Sequence, residues 1–541
     1  MLLRFVPFTG ANLALHPLLL PSGVGVESNN QRIGRGDLRP LKSAAAVAAV
    51  LANATTIYRM GRTVPNDAAY WLAWTTDVDV ARGFVAEDTS ERTFWSGDGV
   101  PKWTDNATGL GAPPYPDSSG VRILGVPKPN AAPTLTEQAA GSGDDEERSY
   151  VTTWVNDRGE ESAPSTATTI TCKPGATIRV TRNASVPSGA YGLASWRIYR
   201  TVAGNSDDYF YIGQAAVATA HLDTTDATLN TASTLQTEGW DMPPSNLKGL
   251  KTLWNGMMVG FFGKALCFCE PLHPYAWPVA YQLPLDEDIV GLARVGLWLV
   301  VLTVGQPYIV TGSSPSAMSP AVVDFKQACV AKRGIVELGH GVAWPSPDGL
   351  AYIGANGSSA LVTDGIATRE DWQALNPDTF IAGENEGEYL ASYDLGAGDR
   401  KSFSLNTRKA AEGFRFCDIG WRACYRDVIG DAFYVLDSAA DGDVLKWDSG
   451  VDLTSSFKSR IERVVKPTCF VFGQVVADDY PVTLSIWADG EAVLTDFYVD
   501  GRAAFRLPAG FWADQWQIRV ASAYPVQMVQ LAHSVEELNQ A

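Results

Sequence analysis

Along most of the chain apolar residues alternate with polar ones in short runs, the period of a strand with one buried face, and helical spacing is scarce. TIYRM, AYWLAWTTDVDVAR, RTFWSGDG and VRILGVP are β-branched and aromatic runs cut by Gly, Asp and Pro. Two short stretches depart from this. TREDWQALNP predicts a helix with Thr368 as N-cap, Glu370 and Asp371 in its first turn and Pro377 at its end. SVEEL predicts another, in which Ser534 and Glu537 form a capping box.

The strand pattern also repeats. Aromatic-led strands start at Trp254, Trp298, Trp344, Tyr389 and Phe433, at successive spacings of 44, 46, 45 and 44 residues. Each is followed by a Gly, Asp or Asn turn and a second strand. A period near 45 built from antiparallel strands is that of a propeller blade, because one small sheet cannot bury both faces and must stack on its neighbours. In WPSPDGLAYIG, Asp348 and Gly349 then form a hairpin bend, Gly supplying a positive φ and Asp a local side-chain bond.

Four regions follow. Residues 1–129 form an N-terminal β region contributing to the propeller or its platform, and 237–460 carry the blades. Residues 130–236 open on a Pro-, Ala- and Gly-rich stretch with the acidic run Asp144 to Glu147. They continue as alternating strands in which Trp154, Trp196, Tyr199 and Tyr209 are candidate core, the pattern of an inserted immunoglobulin- or fibronectin type III-like sandwich. Residues 461–541 form a C-terminal β domain, where Trp512 and Trp516 are expected in a core or an interface. The fold class expected is all-β.

Composition narrows the function classes. The formal net charge is −18, from 60 acidic and 42 basic residues, so the average field repels nucleic acid and anionic lipid. A wall past which DNA slides is still compatible with that field. Seven scattered cysteines without a CxxC signal neither a disulfide framework nor a zinc site, and are expected as reduced core thiols from a reducing cytoplasm. His16 and Pro17 interrupt the apolar N-terminus before a signal core forms, and the apolar run at 43–54 is far shorter than the roughly 20 residues a bilayer needs. No stable membrane insertion is expected.

Candidate chemistry is sparse. The five histidines stand apart without an HExxH pair, and there is no GxSxG, P-loop or GxGxxG. Asp77, Asp79, Asp98 and Asp105 are the carboxylates a propeller glycosidase could use, and SGDGVPKW is a single weak likeness to the Asp-box of sialidases. The acidic loop from Asp437 to Asp443 lacks the ligand alternation of a calcium loop. No catalytic, cofactor-binding or metal-binding residue is assigned, and no cofactor is expected.

NNQRIGRGDLRPLK at 29–42, WLAWTTDVDVARG, ERTFWSGDGVPKWTD, TEGWDMPPSNLKGL, NGMMVGFFGKALCFCEPLHPYAWP and QACVAKRGIVELGHGVAWPSPDGLAYI resemble the tail nozzle, or tail tubular, proteins of short-tailed bacteriophages. AFRLPAGFWADQWQIRV near the C-terminus fits the same family, whose members do not all carry an insert like 130–236. The resemblance implies a structural, non-enzymatic virion protein of the phage tail, assembled in the host cytoplasm. It implies a homohexameric ring that continues the adaptor (head-to-tail connector) channel and lets genomic DNA pass without specific binding. Tail fibres or receptor-binding proteins would dock on its outer side. The acidic surplus would suit such a bore. The alternatives are a carbohydrate-binding adhesion protein and a propeller glycosidase of the virion.

Overall fold

A computed structural model describes residues 1–541 except 33–35, 62–65, 86–87, 205–207, 226–232, 440 and 540–541. The fold is all-β with a propeller-like core, and the chain divides into two compact units. The first comprises Met1–Thr75, Val290–Ile309 and Ala321–Ala541; the second comprises Thr76–Ile289 and Val310–Pro320.

In the first unit the blade pattern is explicit. Val336–Glu337, Gly341–Pro345, Leu350–Gly354 and Ser359–Leu361 form one four-stranded antiparallel meander, and Ile381–Asn385, Glu388–Asp394, Arg400–Leu405 and Arg415–Cys417 form the next. Tyr389 and Phe403 of the second sheet share a core with Ala343 and Leu350 of the first, so each sheet buries a face of its neighbour. The third sheet takes Trp421–Asp427, Ala432–Asp437 and Asp443–Lys446, and is completed by Ala45–Ala49 from the other end of the chain. That strand is part of the apolar run at 43–54, which is too short to span a bilayer; pairing with a sheet edge decides its structure. The hairpin Thr56–Arg59 with Trp71–Trp74 packs against this third sheet through Ile57, Trp71 and Tyr434.

The repeat spacing has a simple origin. Trp298, Trp344, Tyr389 and Phe433 each lie in the second strand of their sheet, and Trp254 lies just before the second strand, Met258–Phe262, of its own. These strands bury nearly every residue, so they keep the most apolar signature.

The first unit ends in a sandwich. One sheet orders Leu2–Phe5, Val526–Ala532, Phe472–Ala477 and Phe505–Arg506; the other orders Ser455–Ser459, Ala513–Ser522, Val482–Ala488 and Glu491–Val499, with Glu462–Thr468 beside Ala513–Ser522. Phe5, Phe8, Phe457, Phe470, Trp516 and Val529 fill the space between. Strand Gly25–Asn29 lies between Ser455–Ser459 and Arg415–Cys417, so one ten-stranded sheet runs from the second blade into the sandwich. Glycine is required at its start, where a Cβ on Gly25 would lie 2.4 Å from the Lys458 carbonyl oxygen.

In the second unit, Asp79–Arg82, Thr93–Ser96, Lys102–Thr104 and Arg122–Ile123 form one meander, and Lys248–Thr252, Met258–Phe262, Ala265–Phe268 and Gln282–Pro284 form another. The two share a core through Phe94, Trp103, Met258 and Trp277. Between them in sequence stand two further sheets, ordered Thr134–Ala139, Thr177–Thr181, His221–Thr224 and Thr168–Cys172, Glu146–Asn156, Leu193–Arg200, Phe210–Ala216. Numbered along the insert, the orders are 1-4-7 and 3-2-5-6, whereas a constant-type immunoglobulin domain has 1-2-5-4 facing 3-6-7. Trp154 and Trp196 are fully buried between the sheets with Tyr150, Ile178 and Ile198.

Two local expectations are corrected. Gly349 does not adopt a positive φ; glycine is needed there because a Cβ would lie 2.2 Å from the Thr363 Oγ1. The Asp348 carboxylate bonds outside its own turn, accepting from Gln327 Nε2 at 3.1 Å, and the bend is held by Ser346 N–H and Oγ donating to the Gly349 carbonyl. Helix Arg369–Gln373 has its capping box between Thr368 and Asp371. At the C-terminal helix, Glu537 accepts from the His533 N–H and pairs with the Met1 amine.

Candidate functional site

The carboxylates singled out for glycoside chemistry serve local structure. Asp79 Oδ2 accepts from the Gly249 N–H at 2.8 Å, and Asp98 holds Lys102 Nζ at 2.7 Å. Asp105 Oδ1 accepts from the Ala107 and Thr108 N–H groups while Oδ2 pairs with Arg158. The Asp77 backbone packs on Gly97, where φ is +107° and a Cβ would lie 2.4 Å from the Asp77 carbonyl oxygen. SGDGVPKW is thus a tight turn of a blade. Among the described residues no group of three or more His, Cys, Asp and Glu is placed to hold a metal; the loop from Asp437 to Asp443 contains residue 440, outside the described set.

The described part of the string at 29–42, residues 29–32 and 36–42, is a joint; 33–35 lie outside the described residues. Asn30 donates to Asp418 Oδ2 at 2.9 Å and to the Thr454 carbonyl, and its own Oδ1 accepts from the Asp418 N–H. Gln31 donates to the Phe8 carbonyl and accepts from Ser28. Leu38 exchanges both backbone bonds with Val526 of the sandwich, while Leu41 bonds Asn30 and Leu453. These residues bind blade, turn and sandwich at once.

Beside this joint lies a cleft of about 450 Å³, counting the space open to solvent. Its floor is Leu41, Leu390, Phe416 and Trp447, the last packed edge-on against Trp421 at 5.4 Å between ring centres. Its rim is polar. Arg32 Nε meets Asp448 Oδ2 at 2.8 Å and Arg32 Nη2 reaches Glu386 at 3.5 Å, while Asp448 Oδ1 accepts from the Lys42 N–H at 2.9 Å. Burial, with Glu386 adding to it, holds the Asp448 carboxyl above the usual carboxylate range against the opposing pull of the Lys42 amide and Arg32. Deeper in, both oxygens of Glu388 accept from Arg415 Nη1 at 2.9 and 2.8 Å, with side chains only 2% and 6% exposed. The side chains of Asn385 and Ser404 line the same cleft and make no hydrogen bond among the described residues.

No sequence motif announces this cleft, because its rim comes from a strand end, a hairpin tip and a turn far apart in the chain. The only available signal was the polar content of the string at 29–42. Trp516 is core, whereas Trp512 stands 68% exposed.

The insert is locked to its own unit by a reciprocal clamp. Arg92 of the first meander pairs with Glu160 of the insert at 2.5 Å, and Arg158 of the insert pairs with Asp105 of the meander. Both guanidinium groups lie over the indole of Trp103, Arg92 at 3.9 Å and Arg158 at 4.8 Å from its centre. Tyr275 and Ala276 also enter the insert's core from the other meander.

No family model and no curated protein matches the chain. Among solved structures, BamB from Moraxella catarrhalis aligns over 75% of this chain and 98% of its own at 12% identity, with a TM-score of 0.32. YCF48 from Cyanidioschyzon merolae aligns over 75% and 98% at 11% identity and TM-score 0.29. The beta-propeller domain of Cps50 (Swd1) from Myceliophteria thermophila covers 61% and 92% at 11% identity and TM-score 0.25. Scores of this size say nothing about function.

Proposed function

We propose that the chain is a structural virion protein: a subunit of the distal ring, or nozzle, of a short phage tail, with a channel for genome ejection and an outer surface on which fibres or receptor-binding proteins dock. The observation that carries the reading is the joint at 29–42. One of the strings that resemble nozzle proteins runs on from strand Gly25–Asn29, which joins a propeller-like blade to the C-terminal sandwich in one ten-stranded sheet. A scaffold that must keep its shape under load needs such continuity, since hydrogen-bonded strands transmit strain without a hinge. In a ring of identical copies, closed symmetry fixes the bore and repeats each docking surface around the axis.

The test is the mass and symmetry of the purified protein by light scattering and negative-stain imaging, alone and mixed with its adaptor ring. A six-fold ring with a central hole in either preparation is expected. A monomer that ignores the adaptor overturns the proposal.

A further inference from the structure

We propose that the cleft beside the joint is a binding site for one ring of a neutral sugar. The inference is independent of the tail reading, because it rests only on the cleft's chemistry. Its charged groups are two arginines and three carboxylates, and most of their bonding capacity is already used. Both oxygens of Glu388 are bound by Arg415, and both oxygens of Asp448 by Arg32 and the Lys42 amide. What remains for a ligand is the outer side of Glu386, half exposed, and the Asn385 amide and Ser404 hydroxyl.

That remainder selects a ligand class. An anion would face three carboxylates. A cation would compete with Arg32 for groups already neutralised, and a purely apolar molecule would leave the rim without partners, at a cost of about 1–3 kcal/mol for each group so stranded. A polyol meets both demands: its hydroxyls donate to Glu386 and to the Asn385 carbonyl, and accept from the Asn385 amide and Ser404. The C–H face of a pyranose can lie on the apolar floor of Phe416 and Trp447. Lined by only thirteen residues and open to solvent, the cleft suits a single ring better than an oligosaccharide.

Binding without hydrolysis follows from the same count. Cleavage of a glycosidic bond needs an acid and a second carboxylate, both free to reach the substrate. Here only Glu386 has an oxygen to spare.

The experiment is saturation-transfer NMR on the full chain with a panel of methyl glycosides and the matching free hexoses, together with aryl glycosides as hydrolysis probes. A saturable signal is expected for at least one sugar, weakened roughly fivefold or more in Asn385→Ala and Ser404→Ala, since each loses about one hydrogen bond. Because these side chains make no hydrogen bond among the described residues, both variants should melt with the parent, which separates lost binding from lost folding. Binding of methyl glycosides would point to the end of a glycan chain as the source, and binding of free hexoses alone to a soluble sugar. No saturable signal from any sugar, or a signal unchanged in the double variant, overturns the proposal. Release of aryl aglycone that Glu386→Gln abolishes overturns the binding-only part.

Discussion

Cys267, Cys269, Cys329 and Cys424 are pushed up to about 12 and Cys417 up to about 11, in each case chiefly by burial. All seven cysteines are free thiols. An unfolded thiol ionises near about 8.5, so the folded chain holds these five protons more tightly. The stability this contributes is complete below that value and is lost as pH rises through it toward 11 and 12. We expect the four fully buried among them, Cys267, Cys269, Cys329 and Cys417, to stay silent toward a thiolate-specific reagent at pH 8 until denaturant is added, and thermal midpoints to fall steadily above about pH 9. Fast labelling of the native protein at any of them would contradict the burial that gives the shift. The sequence showed that these cysteines lack metal or disulfide spacing; only packing shows why they are inert.

At the level of elements, blade strands were legible because their second strands are buried on both faces. Strand Gly25–Asn29 was not legible, because GVESN has too few apolar residues to advertise a strand in the middle of a ten-stranded sheet. Its place is set by partners far along the chain, Phe416 on one side and Ser455–Ser459 on the other. Gly25→Ala should therefore cost stability, by about 1–3 kcal/mol, as the added Cβ meets the Lys458 carbonyl and the Phe457 ring at 2.4 and 2.7 Å. Differential scanning calorimetry would read the loss, and an unchanged transition would mean the strand shifts without strain. The apolar run at 43–54 illustrates the same limit, since its alanines favour helix and the open edge at Asp443–Lys446 makes part of it a strand.

For the molecule as a whole, the insert is the element whose role depends most on tertiary contacts. Its sequence shows only a Pro-, Ala- and Gly-rich opening stretch followed by alternating strands. The paired arginines around Trp103, and the shared core with Tyr275, make it a rigid part of its unit. Arg92→Ala with Arg158→Ala leaves Glu160 and Asp105 without their cations, so the insert should loosen while its own core, around Trp154 and Trp196, stays folded. Limited proteolysis should then cut the stretch before Thr134 several-fold faster than in the parent and leave the insert intact on the C-terminal fragment; equal rates would show that the shared core alone holds it.

Alternation and a period near 45 residues by themselves determined that the chain is all-β and builds blades, since a half-buried strand must alternate and a small sheet must stack. They also marked where the chain turns, though not the backbone geometry of the turn at Asp348 and Gly349. Tertiary structure alone decided which distant strands complete each sheet, how the string at 29–42 becomes a joint, and that Gln31, Arg32, Asn385, Ser404 and Asp448 meet at one cleft. Such meetings depend on contacts across hundreds of residues, and local pattern carries no information about partners that far away.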